Sequence, residues 1–343
     1  MRFLLFLSVF TFVLVTSCVA QKGNSIRGSK GGQSAEIKDT SARQPGTRQR
    51  PLRSNEPLDC NDLEMEENGL VFHSKTHAPF TGMCRTFYED NRLEREVNFV
   101  DGLEDGASIT YYQKFILDPN GNRRMDDSSG VEPGNKKALT NHKMGVEHGE
   151  WKFWYEDGSL AWKGEYLEGK KTGLWEYYYP DGKTKKKEEN WKEGKKDGVY
   201  KEWYPNGNLK LEINYKADYL DGSYKSYFDN GSVFIETNYI QGKEEGESIS
   251  YYKNGQIASI KRYKEQKPDG TWRSYYDDGK EKSIAVYLEG KPQGEHKEFY
   301  HEGQLKSKKV YRDGKLIVDE RYDEFGNKIE PVDPKKKKEE EEE

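Results

Sequence analysis

Residues 149–172, GEWKFWYEDGSLAWKGEYLEGKKT, contain the pattern from which the fold of this chain can be predicted. It contains two short runs rich in aromatic residues, the first ending at Asp157-Gly158 and the second at Tyr166. Two strand-like runs joined by an Asp-Gly or Asn-Gly step are a strong short-range signal of a β-hairpin. The glycine is needed because its position in the turn takes a positive φ. The stretch therefore predicts one β-hairpin.

The same pattern recurs along the chain with a fixed period. In nine places two adjacent aromatic residues follow a glycine by five and six positions, and successive glycines lie 24 or 25 residues apart, except for one gap of 43. The nine glycines are Gly82, Gly106, Gly149, Gly173, Gly198, Gly222, Gly246, Gly270 and Gly294. A fixed period of this length is typical of repeat architectures. We predict an all-β fold: an elongated, twisted antiparallel sheet of about nine tandem β-hairpins, with no helical domain.

The composition agrees with a thin sheet better than with a compact globule. Of the 343 residues, 33% are apolar and 34% are charged, and the mean hydropathy is −1.10. A compact protein of this size buries about three quarters of its unfolded surface, which requires more aliphatic side chains. Aromatic residues are therefore expected to provide the burial. The net charge of −5, from 56 basic and 61 acidic residues, gives no reason to expect a nucleic-acid partner.

The aromatic pairs lead to two expectations about the hairpins. Because side chains alternate between the faces of a strand, the two members of each pair are expected to point to opposite faces and to form two ladders of rings. The turn after each pair is either a two-residue type I′ turn, which pairs Tyr155 with Leu160, or a type I turn with a glycine bulge. Pro180 and Pro205 favour the bulged turn, because proline fits its second position without strain.

The N-terminus predicts export. Residues 1–20 contain Arg2, an apolar run and then small residues, which is the pattern of a signal peptide. Residues 15–18, VTSC, resemble the lipobox of bacterial lipoproteins, which implies a lipid on Cys18. The alternative is ordinary cleavage after Ala20, with a secreted or periplasmic product.

The remaining segments follow from composition. Residues 21–57 are predicted to be a disordered tether, and residues 58–330 the repeat array with a loop insertion at about 113–146. Residues 331–343, with four lysines and five glutamates, are predicted to be a disordered charged tail. The residue after Cys18 is Val19 and not aspartate, which resembles the sorting pattern of bacterial lipoproteins that are sent to the outer membrane.

Two further cysteines remain if Cys18 is lipidated. Cys60 and Cys84 are then a pair in an oxidising compartment, which permits a disulfide. The alternative is a zinc site that adds His73 and His77, although their spacing matches no standard ligand pattern. We predict no metal site and no cofactor.

The strings YYKNGQI at 251–257 and YLEGK at 287–291 resemble the MORN-repeat variant of bacterial proteins. The resemblance extends from about residue 70 to residue 328. The chain departs from the repeat pattern at Asn91, which replaces the turn glycine of the first repeat, and at Asp218 and Gln266, which replace glycines of the second turn. Relatives are often named antitoxins of the YwqK type, and eukaryotic MORN proteins act as scaffolds and lipid-associated modules. The resemblance therefore implies binding or assembly and no defined reaction.

Motifs of catalysis are missing from the sequence, which contains no G-x-S-x-G, H-E-x-x-H or P-loop pattern. We predict that the protein is not an enzyme and has no catalytic residues. The interpretation is an exported, lipid-anchored repeat scaffold of the bacterial envelope that binds an unknown envelope protein through its sheet faces. Alternatives are an antitoxin-like inhibitor, a partner strand added at the open edge near Tyr322, and a module binding cell-wall polysaccharide. For the last, the candidate binding-surface residues are Trp151, Trp154, Trp175, Trp203 and Trp272.

Overall fold

The computed structural model describes residues 57–125 and 133–330. The predicted signal peptide, the lipidation site Cys18, the predicted tether up to residue 56 and the charged tail lie outside the described residues. Among the residues that the structure describes, none forms a helix long and apolar enough to cross a membrane.

The described chain consists of β-strands and one 3-10 turn at Cys60–Asp62. The strands are β1 (Leu58–Asp59), β2 (Leu63–Met65), β3 (Val71–His73), β4 (Gly82–Phe87), β5 (Leu93–Val100), β6 (Leu103–Glu104), β7 (Gly106–Tyr111), β8 (Phe115–Leu117), β9 (Arg123–Met125), β10 (Lys136–Lys143), β11 (Val146–Glu147), β12 (Gly149–Trp154), β13 (Leu160–Leu167), β14 (Lys170–Tyr178), β15 (Lys185–Lys192), β16 (Lys195–Trp203), β17 (Leu209–Lys216), β18 (Tyr219–Tyr227), β19 (Val233–Ile240), β20 (Lys243–Glu244), β21 (Gly246–Tyr251), β22 (Ile257–Lys264), β23 (Lys267–Pro268), β24 (Gly270–Tyr275), β25 (Glu281–Leu288), β26 (Lys291–Pro292), β27 (Gly294–Phe299), β28 (Leu305–Arg312) and β29 (Lys315–Arg321).

Twenty-five of these strands form one sheet. From β4 to β29 the strands of this sheet pair antiparallel with their neighbours in chain order, and β1 adds to β4 in parallel. The hairpins β2–β3 and β8–β9 stand apart as two-stranded sheets. The long antiparallel sheet of tandem hairpins confirms the predicted fold class.

The first turn is the bulged turn in every repeat except two: the second, which contains the inserted arm, and the fourth, in which Tyr179 N–H donates to Thr184 O across one extra residue. Gly158 has φ +87° and donates its N–H to Tyr155 O at 2.9 Å, while Tyr155 N–H donates to Ser159 O at 2.8 Å. Trp154 is therefore the residue opposite Leu160, with a register shift beside it. This is a type I turn followed by a glycine bulge, so the preferred turn is confirmed and the type I′ alternative is wrong.

The second turn of each repeat has two central residues with positive φ, which is the type I′ geometry. In the third repeat these are Glu168 at +50° and Gly169 at +76°. Asp218 at +72° and Gln266 at +68° keep the same backbone without glycine. The departures from the repeat pattern therefore change the local strain and leave the chain path unchanged.

Neighbouring repeats are joined by tyrosine hydroxyls. Tyr155 Oη donates to the backbone O of Tyr178 at 2.8 Å. The same bond, from the second member of one aromatic pair to the first member of the next, is made by Tyr88, Tyr112, Tyr179, Tyr204, Tyr252 and Tyr276. After the last pair, the Tyr300 hydroxyl donates to the backbone O of Tyr322 at 2.9 Å. Among the described residues, no ring contact joins one aromatic pair to another; the contacts instead involve residues such as Trp151 and Tyr166, at 4.9 Å between centroids. The expectation that the paired rings form the ring ladders was therefore wrong.

The predicted insertion at 113–146 is too long at its C-terminal end. Residues 136–143 form β10, which pairs with β7, and β11 at 146–147 follows a second turn. The inserted arm, with β8 and β9, therefore replaces only the first turn of this repeat. The boundary was misplaced because KKALTNHK, residues 136–143, has neither the turn glycine nor the aromatic residues that mark the other return strands.

The segment that contains β1, β2 and β3 forms a small cap at the first hairpin of the sheet, β4–β5. The buried side chains between them are Val71 and Phe80 from the cap segment and Cys84, Val97 and Phe99 from the hairpin. Cys84 is bonded to Cys60, and their Cα atoms lie 5.1 Å apart. The zinc alternative loses both thiolates to this disulfide, and within 57–125 and 133–330 no three His, Cys, Asp or Glu side chains are arranged to hold a metal ion.

Candidate binding faces of the sheet

The pairing register divides the side chains between two faces, which we name the groove face and the ladder face. Trp151 opposite Gly164 belongs to the groove face, and Trp154 opposite Leu160 belongs to the ladder face. The same register places these further residues on the groove face: Tyr166, Lys171, Trp175, Tyr177, Lys187, Glu189, Trp191, Lys196, Tyr200, Ser250, Ser259, Tyr263, Trp272, Ser274, Ser283 and Tyr287.

The five candidate tryptophans are divided between these faces. Trp151, Trp175 and Trp272 lie on the groove face, and Trp154 and Trp203 lie on the ladder face. They therefore do not form one row. Trp175 is only 2% exposed, so its ring is unavailable for stacking on a sugar and its candidacy was wrong.

The ladder face carries alternating charges. Lys163 and Lys185 contact Glu176 at 2.6 and 3.0 Å. Burial alone would raise the pKa of the Glu176 carboxyl, but the hydrogen bonds from both lysines outweigh it and lower that pKa. Lys225 and Glu236 repeat the arrangement at 3.1 Å. These pairs satisfy one another and leave little free charge on this part of the face.

The groove face contains a buried carboxylate among lysines. Glu189 is 4% exposed, and Lys187 and Lys196 lie 3.0 and 3.4 Å from its Oε1. Its Oε2 accepts hydrogen bonds from the Tyr177 hydroxyl at 3.2 Å and the Trp191 indole at 3.3 Å. Burial would raise the pKa of Glu189, but the lysines outweigh it and lower that pKa. This carboxylate is fully paired.

Lys171 lies in the same cluster without a carboxylate of its own. Its Nζ stands 4.0 Å from the ring centroid of Trp175 and 4.8 Å from that of Trp191. No described acidic side chain contacts it as an ion pair within 4.0 Å. Burial is the main cause that lowers the pKa of Lys171, and the charges of Lys187 and Lys196 lower it further, against the opposing effect of Glu189.

Further along the groove face, hydroxyl groups replace these charges. Ser250 and Ser259 are 2.7 Å apart at Oγ, and Ser274 and Ser283 are 2.6 Å apart. The cavities beside them measure about 360 and 280 Å³ and share Lys261 in their lining. A column of touching rings borders the floor: Tyr263, Trp272, Tyr287, His296 and Tyr311.

One long edge of the sheet has a composition of its own. We name the residues that flank the nine second turns the turn edge: Val100, Leu103, Lys143, Val146, Leu167, Lys170, Lys192, Lys195, Lys216, Tyr219, Ile240, Lys243, Lys264, Lys267, Leu288, Lys291, Arg312 and Lys315. Eleven are basic, seven are aliphatic or aromatic and none is acidic, and all except Leu103 are exposed. Seven of the turns add an acidic residue at their tips. None of the eleven basic side chains forms an ion pair with a described acidic residue.

The sequence matches the family described as MORN repeat variant in seven consecutive segments: 147–168, 171–193, 196–217, 220–241, 244–265, 268–288 and 292–313. Residues 147–313 belong to the MORN repeat variant family. Each MORN segment coincides with one hairpin of the sheet. The hairpin β4–β5 lies before the matched residues but has the MORN register, with Gly82 opposite Phe99 and a shift at Phe87.

Comparison with solved structures gives weak likenesses. The chain is similar to a chain of the TcdB2-TccC3-Cdc42 crystal structure, with 11% identity, a TM-score of 0.16 and coverage of 78% of this chain and 16% of that one. A TccC3 mutant of the Photorhabdus luminescens Tc holotoxin pore gives 10% identity, a TM-score of 0.13 and coverage of 72% and 18%. This chain thus spans less than a fifth of either, and such scores support no functional argument. No curated protein matches this sequence.

Two features escaped the sequence reasoning. The cluster around Glu189 draws on residues from β14, β15 and β16 that look like ordinary surface charges in the sequence. The turn edge was visible in principle, since a lysine or aliphatic residue adjoins nearly every second turn. Aligning the nine second turns by their central residues would have revealed it.

Proposed function

We propose that this MORN-repeat protein is an exported, lipid-anchored scaffold of the bacterial cell envelope that binds a protein partner. The observation that supports a protein partner is the turn edge. Exposed large apolar side chains lie among unpaired lysines there, with Leu167, Tyr219, Ile240 and Leu288 exposed by 53, 63, 57 and 59%. Exposed apolar side chains among charged ones are typical of protein interaction sites. The partner would present acidic and apolar side chains to this edge.

Export and anchoring rest on the N-terminal pattern. The bond between Cys60 and Cys84 supports an oxidising compartment, because structural disulfides persist outside the cytosol. The lipid on Cys18 and outer-membrane sorting belong to the same proposal. An antitoxin-like role is disfavoured by export if its toxin acts in the cytoplasm. The scaffold performs no reaction in this proposal, in keeping with a family of binding repeats.

Site-specific photocrosslinking in living cells tests the partner. A photoreactive amino acid replaces Leu288 on the turn edge or, as a control, the exposed first-turn residue Asp277. We expect a protein adduct, identified by mass spectrometry, only from the turn edge. Lys264→Glu with Lys291→Glu should remove it, while Lys183→Glu, at an exposed first turn, should not. Adducts of equal yield from both positions, or adducts with lipid or polysaccharide alone, would contradict the proposal.

The anchor has a separate test. Cells fed a clickable fatty acid are expected to label the protein, and Cys18→Ser should abolish the label and release the protein from the membrane fraction. Labelling that persists in Cys18→Ser would reject the anchor and leave the partner proposal untouched.

A polysaccharide ligand is the second candidate, and one observation favours it. The serine-lined floor beside Trp272 combines hydroxyl groups with a column of rings, and both bind sugars. Retention on cell-wall polysaccharide that is lost in Trp272→Ala but kept in Trp203→Ala would support this candidate, because Trp203 lies on the opposite face. Equal retention of both variants would exclude this groove as the site.

A further inference from the structure

We propose that the groove face contains an oxyanion-binding site centred on Lys171, with Lys187 and Lys196 beside it, that takes a phosphate or carboxylate group of a ligand. The site is separate from the protein partner proposed above, because the register places the neighbouring turn-edge side chains of Lys170, Lys192 and Lys195 on the opposite face.

The first argument is the imbalance of charge. Three ammonium groups surround one carboxylate, Glu189, which already contacts Lys187 and Lys196. Lys171 is left with a desolvated positive charge and aromatic rings as neighbours. A desolvated charge is costly unless it is paired, so an external anion would supply what the chain itself does not.

The second argument is the count of hydrogen-bond donors. An ammonium group offers three N–H donors. Lys187 gives one to Glu189, Lys196 lies 3.4 Å from the same oxygen, and the structure shows no hydrogen bond from the Lys171 ammonium group to any described residue. Oxygen atoms of phosphate or carboxylate accept several such bonds at once. Lys171 and Lys196 both lie over the Trp191 ring, and Lys187 and Lys196 both contact Glu189, so the three ammonium groups have unused donors in one region of the face.

The third argument is that small anions can reach the three lysines from solvent, whereas cations are repelled. The side chains of Lys187 and Lys196 are 28% and 29% exposed, so an ion reaches them from solvent. The indoles of Trp175 and Trp191 hold the Lys171 ammonium group by cation–π contact, and no described carboxylate forms an ion pair with it within 4.0 Å. Cations are repelled by the same three charges. The surroundings thus select small anions.

Protonation of Lys171 makes this site sensitive to pH. The charged and titratable groups that face it are Tyr166, Tyr177, Lys187, Glu189, Lys196, Tyr200 and Glu202. Because burial lowers the pKa of Lys171, its ammonium form is lost at a lower pH than that of an exposed lysine. Anion affinity is therefore expected to fall as pH rises.

The test is isothermal titration calorimetry of the full chain with inorganic phosphate, and in a second arm with glucuronate as the carboxylate. We expect saturable binding whose affinity falls as the pH of the buffer is raised. Lys171→Met should weaken binding at least tenfold. Lys170→Met, the adjacent exposed lysine on the turn edge, should leave it unchanged. Phosphate binding without glucuronate binding, or the reverse, would identify which oxyanion the site takes.

Folding is checked independently. Lys171→Met keeps an unbranched stem between the indoles and removes the desolvated charge, so it should unfold at no lower temperature than the original chain. If this variant unfolds at a lower temperature, nuclear magnetic resonance of the unaltered protein is used instead. Phosphate should then shift the signal of the Lys171 ammonium group, which the neighbouring rings shield. Absence of saturable binding, equal loss in Lys170→Met, or an unmoved Lys171 signal would each overturn the proposal.

Discussion

Removing the hydroxyl of Tyr252 is expected to weaken the contact between two neighbouring repeats by about 1 kcal/mol. This hydroxyl donates to the backbone O of Tyr275 at 2.8 Å, and a neutral hydrogen bond contributes about 0.5–1.5 kcal/mol net. Tyr252→Phe deletes that bond and keeps the ring. Since the stability of a repeat array depends on interfaces between neighbouring units, the loss should appear in the free energy of unfolding.

The chain contains a natural counterpart one repeat earlier. Phe228 occupies the equivalent position, so the repeat that contains it lacks the hydroxyl bond, and its ring contacts Phe234 at 5.0 Å between centroids. Phe228→Tyr places an O–H group beside the backbone O of Tyr251. We expect it to raise the free energy of unfolding by about 0.5–1 kcal/mol, the usual net value of one hydrogen bond.

Guanidinium unfolding followed by circular dichroism measures both changes. The control is Tyr219→Phe, because Tyr219 is 63% exposed and its hydroxyl bonds to no described residue. Its free energy of unfolding should change by less than about 0.5 kcal/mol, as for ordinary surface substitutions. If Tyr252→Phe costs no more than this control at an unchanged m-value, the hydroxyl bonds do not hold the repeats together and the argument fails.

Three other changes test separate parts of the structure. Gly164→Ala should cost about 1–3 kcal/mol of unfolding free energy, because its Cβ would lie 2.2 Å from the Trp175 ring; unchanged near-ultraviolet circular dichroism and stability would contradict this. Gln266→Gly should raise that free energy by about 0.5–1 kcal/mol, since Gln266 has φ +68°, and a loss would show that its side chain contributes. The lowered pKa of Glu189 means that its contribution is complete above the unfolded value of 4.5 and disappears as pH falls through the folded value. Glu189→Gln should therefore reduce the free energy of unfolding at neutral pH by about 2 kcal/mol, and the reduction should become smaller as the pH falls below 4.5; a reduction that does not change with pH would contradict the pairing.

The hairpins were predictable because their signals are local. The glycine at position 158 and the proline at 205 favour the bulged first turn that the backbone adopts there, and that turn fixes the register of the hairpin that contains it. The insertion boundary was not predictable by counting periods, since the arm replaces the very turn that marks the repeat. The insertion removes the turn glycine, and the return strand β10 lacks the aromatic residues that mark the other return strands.

The cluster around Lys171 and Glu189 was harder to predict, because two successive pairing registers must be known before its residues can be placed on one face. Lys171 and Glu189 share a face only after a shift in β14 and another at the first turn between β14 and β15. A one-residue error at either place moves a side chain to the opposite face. Charged residues in a chain this polar give no periodic signal that would reveal the error. Composition and motifs could therefore predict a binding fold without locating its polar cluster.

The division of roles within one repeat explains why such a cluster can exist at all. The turns and the tyrosine hydroxyls hold the backbone through groups that recur in nearly every repeat, so they fix the sheet without using most groove-face side chains. Those side chains are then free to differ between repeats: rings at Trp151 and Tyr166, lysines around Glu189, serines at 250 and 259. A buried charge cluster would be a liability in a fold with one central core, because its cost would fall on the whole core. Here that cost falls on two adjacent repeats, and the hydroxyl bonds on either side are independent of it. Variation along the groove face is therefore where binding specificity is expected to arise.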